Sequence, residues 1–295
     1  MSGRLRNRAA AVAAPERADP ASPVVSLRGA SLAYGDLVLW RDMDLDVRPG
    51  EFLAVLGPNG SGKTSLLRVL LGRQQPTAGS VTVLGTSPHN GSGQIGYVPQ
   101  HKALTTPTPL RARDLVRLGL DGHRWGPPRR TAAARHRVEE LLAMVGATPY
   151  ADVPLGRLSG GELQCVRVAQ ALATDPRLLL CDEPLLSLDL RHQQTVTALV
   201  DRRRRSAGTA VIFVTHEINP VLGLADRVLY LARGRHRTGP PDEVMTSAAL
   251  SQLYGTHVDV VRVRDRIVVV GAPDDGPGHH HEGGGTPPPN GGPSA

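Results

Sequence analysis

The chain has 295 residues, of which 40% are hydrophobic and 21% are charged, so it is long and apolar enough to bury a sizeable core. Its longest uncharged apolar run is much shorter than the ~18 residues of a membrane span, and its first residues lack the apolar stretch of a secretory signal. The two cysteines form neither a CxxC pair nor a metal-binding cluster, and these features together predict a soluble protein of the reducing cytosol.

The N-terminal part of the chain predicts a disordered arm followed by strands and a helix. Residues 1–22 are rich in Ala, Arg and Pro without apolar periodicity, which indicates disorder. Residues 25–34 and 38–47 alternate loosely around a Gly-Asp turn, which predicts antiparallel strands. Residues 52–56 are an apolar run that ends at a glycine cluster, and residues 65–71 are almost wholly apolar. This pair predicts a strand, a glycine-rich turn and a buried helix.

The remaining chain alternates between predicted strands and helices. Apolar runs predict further strands at residues 80–84, 94–98, 178–181, 211–214, 227–231 and 266–270. Residues of about 102–165 show helical spacing between two of these strands. The pattern predicts an α/β fold with a mostly parallel sheet, an N-terminal antiparallel β subdomain and a helical insertion subdomain. A β segment is predicted at 256–271, followed by a disordered Gly-, Pro- and His-rich tail at 272–295.

One segment matches the phosphate-binding motif G-x-x-x-x-G-K-[ST], after a predicted strand and before a predicted helix. It reads Gly57, Pro58, Asn59, Gly60, Ser61, Gly62, Lys63 and Thr64, and Ser65 follows in the helix. Its glycines allow backbone N–H groups to point at phosphate oxygens, Lys63 adds a point charge, and the Thr64 hydroxyl can bind Mg²⁺. Lys63 is one of only two lysines in the chain, and the composition gives about 0.003 chance matches to the motif. The segment predicts a P-loop NTPase core that binds a nucleotide.

Two adjacent acids follow the strand predicted at residues 178–181. Successive side chains of a strand point in opposite directions, so Asp182 and Glu183 cannot share one task. We predict that Asp182 holds Mg²⁺ beside the phosphate loop. Glu183 is then predicted to orient or deprotonate the water that attacks the γ-phosphate.

A second glycine-rich segment, Leu-Ser-Gly-Gly-Glu-Leu-Gln at residues 158–164, begins another predicted helix. Ser159 and Glu162 fit an N-terminal capping box, but a cap alone does not explain two glycines, each of which costs ~1 kcal/mol relative to Ala within a helix. Bare backbone at Gly160 and Gly161 suits the close approach of an anion. Because the phosphate loop already serves one anion, this helix start is predicted to serve the nucleotide of another molecule.

These motifs, in this order over residues 24–255, resemble those of the ATP-binding cassette family. The resemblance implies an ATPase whose ligands are ATP and Mg²⁺. It implies that Tyr34 stacks on adenine and that Gln100 senses Mg²⁺ and the attacking water. It also implies that His216 contacts the γ-phosphate.

The same resemblance implies partners and a location. Two copies pair head to tail around two ATP molecules, so that Ser159 and Gly161 of one copy contact the nucleotide on the other, and the loop that ends at Asp189 crosses the interface. Hydrolysis separates the pair, and the helical insertion passes this motion to membrane permease subunits, which are served by an extracytoplasmic solute-binding protein. The chain is then expected at the cytoplasmic face of the plasma membrane. Cys165 stands where the family usually has a basic residue, which affects the expected strength of the dimer contacts.

The cargo is predicted from a narrower resemblance. Residues 214–220 and 226–231 resemble the subgroup that powers zinc or manganese uptake. Transport of a siderophore, haem or vitamin, or an export role, stays open. A cassette ATPase that acts on nucleic acid is a further alternative, because the net charge is +7 and residues 202–205 are four arginines. Nucleic acid is nevertheless not expected as a partner, since cassettes of that class carry a second cassette or a long coiled coil in the same chain.

Overall fold

The computed structural model describes residues 22–100, 109–122, 131–186 and 188–271. Its strands are β1 (Val25–Tyr34), β2 (Leu37–Val47), β3 (Phe52–Leu56), β4 (Ala78–Val83), β5 (Ile95–Val98), β6 (Leu178–Asp182), β7 (Ala210–Val214), β8 (Arg227–Ala232), β9 (Arg235–Gly239), β10 (Asp259–Val263) and β11 (Arg266–Val270). Its helices are α1 (Lys63–Leu70), α2 (Ala112–Asp121), α3 (Ala132–Met144), α4 (Gly160–Ala171), α5 (Leu190–Ala207), α6 (Pro241–Val244) and α7 (Ser247–Tyr254). The disordered arm and tail predicted at the two ends lie outside the described residues, except for residue 22.

Six strands form the main sheet, in the order β5-β6-β7-β3-β8-β9. All neighbours are parallel except β8 and β9, which pair antiparallel. β3, β6 and β7 are buried along their whole length, as expected for strands that are covered on both faces. Because β5, β6 and β7 are adjacent and parallel, the residues that follow them meet at one edge of the sheet, next to the turn that follows β3.

The N-terminal strands form a separate antiparallel sheet in the order β2-β1-β4. Its apolar side chains share one core with α1 and with one face of the main sheet, and this core includes Leu27, Trp40, Leu66 and Ile212. The sheet therefore covers α1 and the strands beneath it, which fixes the position of the turn at which α1 begins.

The helices α2, α3 and α4 pack together in the core that also contains the opposite face of the main sheet. Gly119 lets α2 approach α4 closely, because a Cβ at this position would lie 2.3 Å from the carbonyl oxygen of Gln170. The predicted fold class is thus confirmed: a mostly parallel α/β core carries an antiparallel β sheet and a helical part. None of the described helices is long and apolar enough to cross a membrane.

The last described segment is an antiparallel hairpin of β10 and β11, which we call the C-terminal hairpin (residues 259–270). Its Ile267 is buried in the same core as Val221 and Tyr254. The strand β9 and the short helices α6 and α7 were not predicted. The sequence of β9 is Arg-His-Arg-Thr-Gly, and such a polar segment forms a strand here because it pairs with the buried strand β8 at the edge of the sheet.

Candidate functional site

The turn between β3 and α1 requires residues without side chains at two points. Gly57 has a φ of 144°, and a Cβ there would lie 2.1 Å from the carbonyl oxygen of Leu231. Gly62 has a φ of 94°, and a Cβ there would lie 3.0 Å from atoms of Leu39 and Trp40. Glycine adopts positive φ without the strain that a side chain adds. The turn can therefore curl tightly in front of the helix N-terminus, where backbone N–H groups favour an anion.

Lys63 is enclosed by this turn. Its side chain is buried, and its Nζ donates to the carbonyl oxygens of Gly57 at 2.7 Å and Pro58 at 2.9 Å. Burial lowers the pKa of the Lys63 ammonium, and the charges of Glu183 and Asp182 partly oppose this shift. An ammonium has three protons, so one proton remains for a ligand that enters the turn.

The hydroxyl of Ser61 is a further group suited to a ligand. Its oxygen is buried and has no hydrogen-bond partner among the described residues, although buried polar groups are normally paired. Asn59 and Gly60 form the tip of the turn, and Gly60 also has positive φ, at 81°. The curled backbone, the spare ammonium proton and the unpaired hydroxyl together fit phosphate oxygens, which accept hydrogen bonds.

Asp182 lies at the end of β6 and contacts the first turn of α1. The Thr64 hydroxyl donates to Asp182 Oδ1 at 3.0 Å, and the Tyr97 hydroxyl donates to Oδ2 at 3.4 Å. Burial raises the pKa of Asp182, an effect that the bond from Thr64 opposes and the charge of Glu183 reinforces. A hydroxyl and a carboxylate suit Mg²⁺, which is usually held by one or two protein oxygens together with phosphate oxygens and water. Across the described chain, no three His, Cys, Asp or Glu side chains form a cluster that could hold a metal ion without such a ligand.

Three polar side chains follow neighbouring strands at this edge of the sheet. Gln100 lies after β5, Glu183 after β6 and His216 after β7, and Gln100 Nε2 donates to Glu183 Oε2 at 3.1 Å. Glu183 has a φ of 46°, an unusual conformation for a residue with a side chain, and its N–H donates to the carbonyl of Val214 at 3.0 Å. All three side chains line one cavity of about 700 Å³, together with residues 57–59 of the phosphate loop.

Tyr34 ends β1 at the surface. It is 51% exposed, and its hydroxyl donates to Gln74 at 2.8 Å. An exposed aromatic ring is suited to stacking on a planar base. Within the described residues no hydrogen bond connects Tyr34 with the phosphate loop, so its contact with adenine stays a prediction.

The start of α4 is built as the sequence predicts, with a capping box. The N–H and the hydroxyl of Ser159 both donate to Glu162 Oε2 at 2.8 Å, and the Glu162 N–H donates to Ser159 Oγ at 3.3 Å. A Cβ at Gly161 would lie 2.8 Å from the ring of His192. Asp189 caps the next helix, α5, by accepting a hydrogen bond from the His192 N–H at 2.8 Å.

The structure thus separates the predicted residues into two groups. Residues 57–59, Gln100, Glu183 and His216 line one cavity, and Lys63 adjoins it. Residues 159–161 are not among those that line this cavity. A nucleotide on the phosphate loop is therefore within reach of the first group in a single copy of the chain.

Several residues of the cavity and its surroundings were not predicted from the sequence. Tyr97 alternates with the buried Val98 along β5, so strand parity could have placed it beside Asp182. Tyr230 and residues 267–269 also line the cavity. No local pattern marks these, because they come from β8 and the C-terminal hairpin, which are distant in sequence from the phosphate loop.

Comparison with known proteins identifies the family of this chain. Residues 40–186 match the family model described as ABC transporter. The hemin import ATP-binding protein HmuV of Thermobifida fusca is 34% identical over 84% of this chain and 87% of its own length. The zinc import ATP-binding protein ZnuC of Yersinia enterocolitica is 34% identical over 79% of this chain and 86% of its own length. The spermidine/putrescine import ATP-binding protein PotA 1 of Pseudomonas aeruginosa is 38% identical over 75% of this chain, which spans only 61% of that protein.

Solved structures are similar in fold. A metal-chelate-type ABC transporter in an inward-facing conformation is 27% identical, with a TM-score of 0.71 over 84% of this chain and 96% of its own. A dimeric ATP-binding cassette in a post-hydrolysis state, bound to ADP and Pi, is 28% identical, with a TM-score of 0.65 over 73% of this chain and 98% of its own. The chain therefore belongs to the ABC transporter family, and it is an ATPase cassette of that family.

Proposed function

We propose that this cassette hydrolyses ATP in a head-to-tail pair of copies and that the pair powers import through membrane permease subunits. One observation carries the proposal. The phosphate loop has a hydroxyl at Ser61 that is unpaired among the described residues. Next to this loop, Thr64 donates a hydrogen bond to Asp182 and Gln100 donates one to Glu183. These contacts support the proposal that Asp182 binds Mg²⁺ and that Glu183 activates water, both beside the expected position of the γ-phosphate of ATP.

In this mechanism the chain positions ATP and the attacking water. Backbone N–H groups of the phosphate loop and the third proton of Lys63 bind the β- and γ-phosphates. Thr64 and Asp182 would hold Mg²⁺, which neutralises phosphate charge when bound. Glu183, oriented by Gln100, accepts the proton of the attacking water.

His216 completes the contacts of the first copy. It follows β7, lies exposed in the cavity and is proposed to donate to the γ-phosphate, whose oxygens carry the charge of the transition state. Tyr34 is proposed to stack on the adenine at the other end of the nucleotide. Catalysis by this set of residues consists of positioning and charge stabilisation.

The second copy is proposed to close each site. Ser159, Gly160 and Gly161 would contact the nucleotide on the partner, and the loop before Asp189 would lie between the copies. Two observations support this arrangement: the start of α4 is exposed, and it lies outside the cavity of its own chain. A helix N-terminus with bare backbone attracts an anion.

The proposed partners are two permease subunits and, through them, an extracytoplasmic solute-binding protein. The chain would then act at the cytoplasmic face of the membrane. Support comes from the relatives, since HmuV, ZnuC and PotA 1 are all described as import ATP-binding proteins.

The proposed cargo is zinc or manganese. It is supported by the similarity to ZnuC and by the sequence of residues 214–220. Haem is a second candidate, because HmuV is equally identical and is covered over a slightly larger share of its length.

Uptake measurements test this proposal. Cells that lack the gene should lose uptake of radiolabelled zinc or manganese, and the wild-type gene should restore it while the Glu183→Gln variant should not. Haem and spermidine are measured in the same cells. Loss of haem or spermidine uptake with metal uptake unchanged would reassign the cargo, and unchanged uptake of all four would refute each of these four compounds as the cargo.

A further inference from the structure

The loop that carries His216 is fixed where it leaves β7. The N–H of Thr215 donates to the carbonyl of Val55 in β3 at 3.0 Å, and the Thr215 hydroxyl donates to the carbonyl of Glu217 at 2.9 Å. Thr215 itself is buried. The backbone on the N-terminal side of His216 is therefore held to the strand that precedes the phosphate loop.

The same loop is fixed a second time by Asn219. The Asn219 Nδ2 donates to the carbonyl of Ile267 at 2.9 Å, and the Ile267 N–H donates to Asn219 Oδ1 at 2.8 Å. Because a backbone N–H only donates and a carbonyl only accepts, one orientation of the Asn219 amide satisfies both bonds. We call these two bonds the Asn219 clamp. It joins the His216 loop to the C-terminal hairpin as a neighbouring strand would.

The hairpin that the clamp holds is itself anchored. Ser251 Oγ accepts a hydrogen bond from the Val258 N–H at 2.9 Å and donates to the Val258 carbonyl at 3.2 Å. Ser247 Oγ accepts a hydrogen bond from the Val260 N–H at 2.8 Å. Both serines belong to α7. The Asn219 clamp therefore connects the His216 loop to a hairpin that is also held by α7.

This hairpin also forms part of the catalytic cavity. Residues 267–269 of β11 line the cavity together with Gln100, Glu183 and His216. The hairpin thus supplies an apolar wall to the space in which the γ-phosphate is proposed to react. An apolar wall limits the water that can enter and strengthens the electrostatic interactions inside.

We infer that Asn219 is a positioning residue for ATP hydrolysis, because the Asn219 clamp fixes His216 relative to Glu183 and keeps the apolar wall of the C-terminal hairpin beside the reacting phosphate. This inference rests on the role proposed for His216. A misplaced donor or an added water weakens contacts to the transition state more than contacts to bound ATP. The clamp should therefore affect kcat rather than ATP affinity, since no hydrogen bond described for the phosphate loop involves Asn219.

The test is the Asn219→Ala variant of the full chain. Its kcat for ATP hydrolysis should fall between about tenfold and about a hundredfold, with ATP affinity within about twofold of the wild type. Asn219→Asp keeps the acceptor for the Ile267 N–H and loses the donor to the Ile267 carbonyl. Its kcat should therefore lie between those of the wild type and of Asn219→Ala. Affinity for ADP with orthovanadate, which mimics the transferring phosphoryl group, should fall by the same factor as kcat. A merely structural role would lower the fraction of active protein and leave these affinities unchanged.

Ser251→Ala is the matched control. It removes the two hydrogen bonds to Val258 but leaves the Ser247 bond to Val260 and both bonds of the Asn219 clamp, so we expect a lower unfolding temperature and a kcat within about twofold of the wild type. Full kcat in Asn219→Ala, or an equal loss in Ser251→Ala, would overturn the inference. His216→Ala separates this result from the proposed function. If His216→Ala keeps full kcat, the proposed role of His216 fails, whereas a loss there with full kcat in Asn219→Ala refutes the clamp alone.

Discussion

The phosphate loop and the start of α4 both present a helix N-terminus and a hydroxyl to an anion, but their surroundings differ. Beside the phosphate loop, three charged side chains are held by hydrogen bonds. Lys63 donates to backbone carbonyls, Asp182 accepts from Thr64, and Glu183 accepts from Gln100. At the start of α4, the Ser159 hydroxyl is bonded to a carboxylate of its own helix turn. The charged groups proposed for the reaction therefore all lie in the first region.

This difference distinguishes the binding of a nucleotide by one copy from the closure of the site by a second copy. In the proposed function, the phosphate-loop region binds a nucleotide within a single copy, whereas the start of α4 acts on a nucleotide that another copy presents. Variants of the first region should therefore fail either in nucleotide binding by single copies or in the chemical step itself. Variants of the second region should fail only when two copies must meet.

The largest effect is expected from Glu183→Gln in the first region. Glutamine keeps the shape but cannot accept the proton of the attacking water, so kcat should fall by about 10²- to 10⁴-fold with ATP affinity unchanged. Phosphate release measures kcat, and gel filtration should show an ATP-bound dimer that accumulates. Glu139→Gln, an exposed acid of α3, is the control with normal turnover. Unchanged hydrolysis in Glu183→Gln would remove Glu183 from its role.

Lys63→Ala should weaken ATP binding itself, by roughly tenfold to a hundredfold, because it removes a charged donor to phosphate. Calorimetric titration at concentrations that keep the protein as single copies measures this affinity. Lys63→Arg should not restore it, since a planar guanidinium does not replace an ammonium that fits between the carbonyls of Gly57 and Pro58. Equal ATP affinity in Lys63→Ala would refute the phosphate-loop assignment.

Gly161→Ala tests the second region. Its Cβ would meet the ring of His192, and it would cover backbone that a partner's phosphate is proposed to approach. We expect unchanged ATP affinity in single copies and a kcat reduced about tenfold, because a displaced contact acts only when two copies close. Adding His192→Ala removes the clash. Full recovery in this double variant would show that the clash, rather than a covered anion site, caused the loss.

Acidification should weaken the binding of Mg²⁺ in the first region, because Asp182 becomes protonated. Burial raises the pKa of Asp182, so a proton competes with Mg²⁺ at a higher pH than at an ordinary aspartate. The Mg²⁺ concentration for half-maximal hydrolysis should rise as the pH falls through this range. Without ligands, the folded state binds this proton more tightly than the unfolded state, so Asp182 lowers the free energy of unfolding as the pH rises. Asp182→Asn should abolish this part of the pH dependence in thermal unfolding.

The smallest effect is expected from Asp175→Asn, which lies outside both regions and loosens the contact between α3 and α5. Asp175 Oδ1 accepts hydrogen bonds from Arg137 of α3 at 2.6 Å and from Arg203 of α5 at 2.8 Å. Asp175 is half exposed, so the loss in the free energy of unfolding should be at most about 1 kcal/mol and should shrink at high salt. Urea unfolding at two salt concentrations measures it, with the exposed Asp265→Asn as control. A loss independent of salt would contradict an electrostatic origin.

Features that depend on neighbours along the chain could be predicted from the sequence. The phosphate loop between β3 and α1 could be predicted because its glycines and the apolar runs on either side are close together in the sequence. The capping box of α4 could be predicted because it needs only Ser159 and Glu162. The contacts among the residues that follow β5, β6 and β7 could not be predicted from such local features. The bond between Gln100 and Glu183 arises because β6 pairs with strands from distant parts of the sequence, and no local pattern sets that order.

Contacts between distant polar segments could not be predicted either. Asn219 and Ile267 are 48 residues apart, and each lies in a segment that is ordinary when considered alone. The arginines at 202–205 gave a similar ambiguity. Arg203 and Arg204 turn out to bond acids within the chain, Asp175 and Asp226 among them, so their charge is directed inward rather than to an external polyanion.

The capping box at the start of α4 has a consequence for the resting cassette. A hydroxyl has one proton, and Glu162 already accepts the proton of Ser159 along with the Ser159 N–H. The positive end of the helix is thus supplied with an internal anion. A phosphate that uses the Ser159 donors must displace this carboxylate, so its net gain from them is the difference between two similar attractions. We therefore expect free phosphate to compete poorly for the Ser159 donors, which favours a phosphate that a second copy presents on its own phosphate loop.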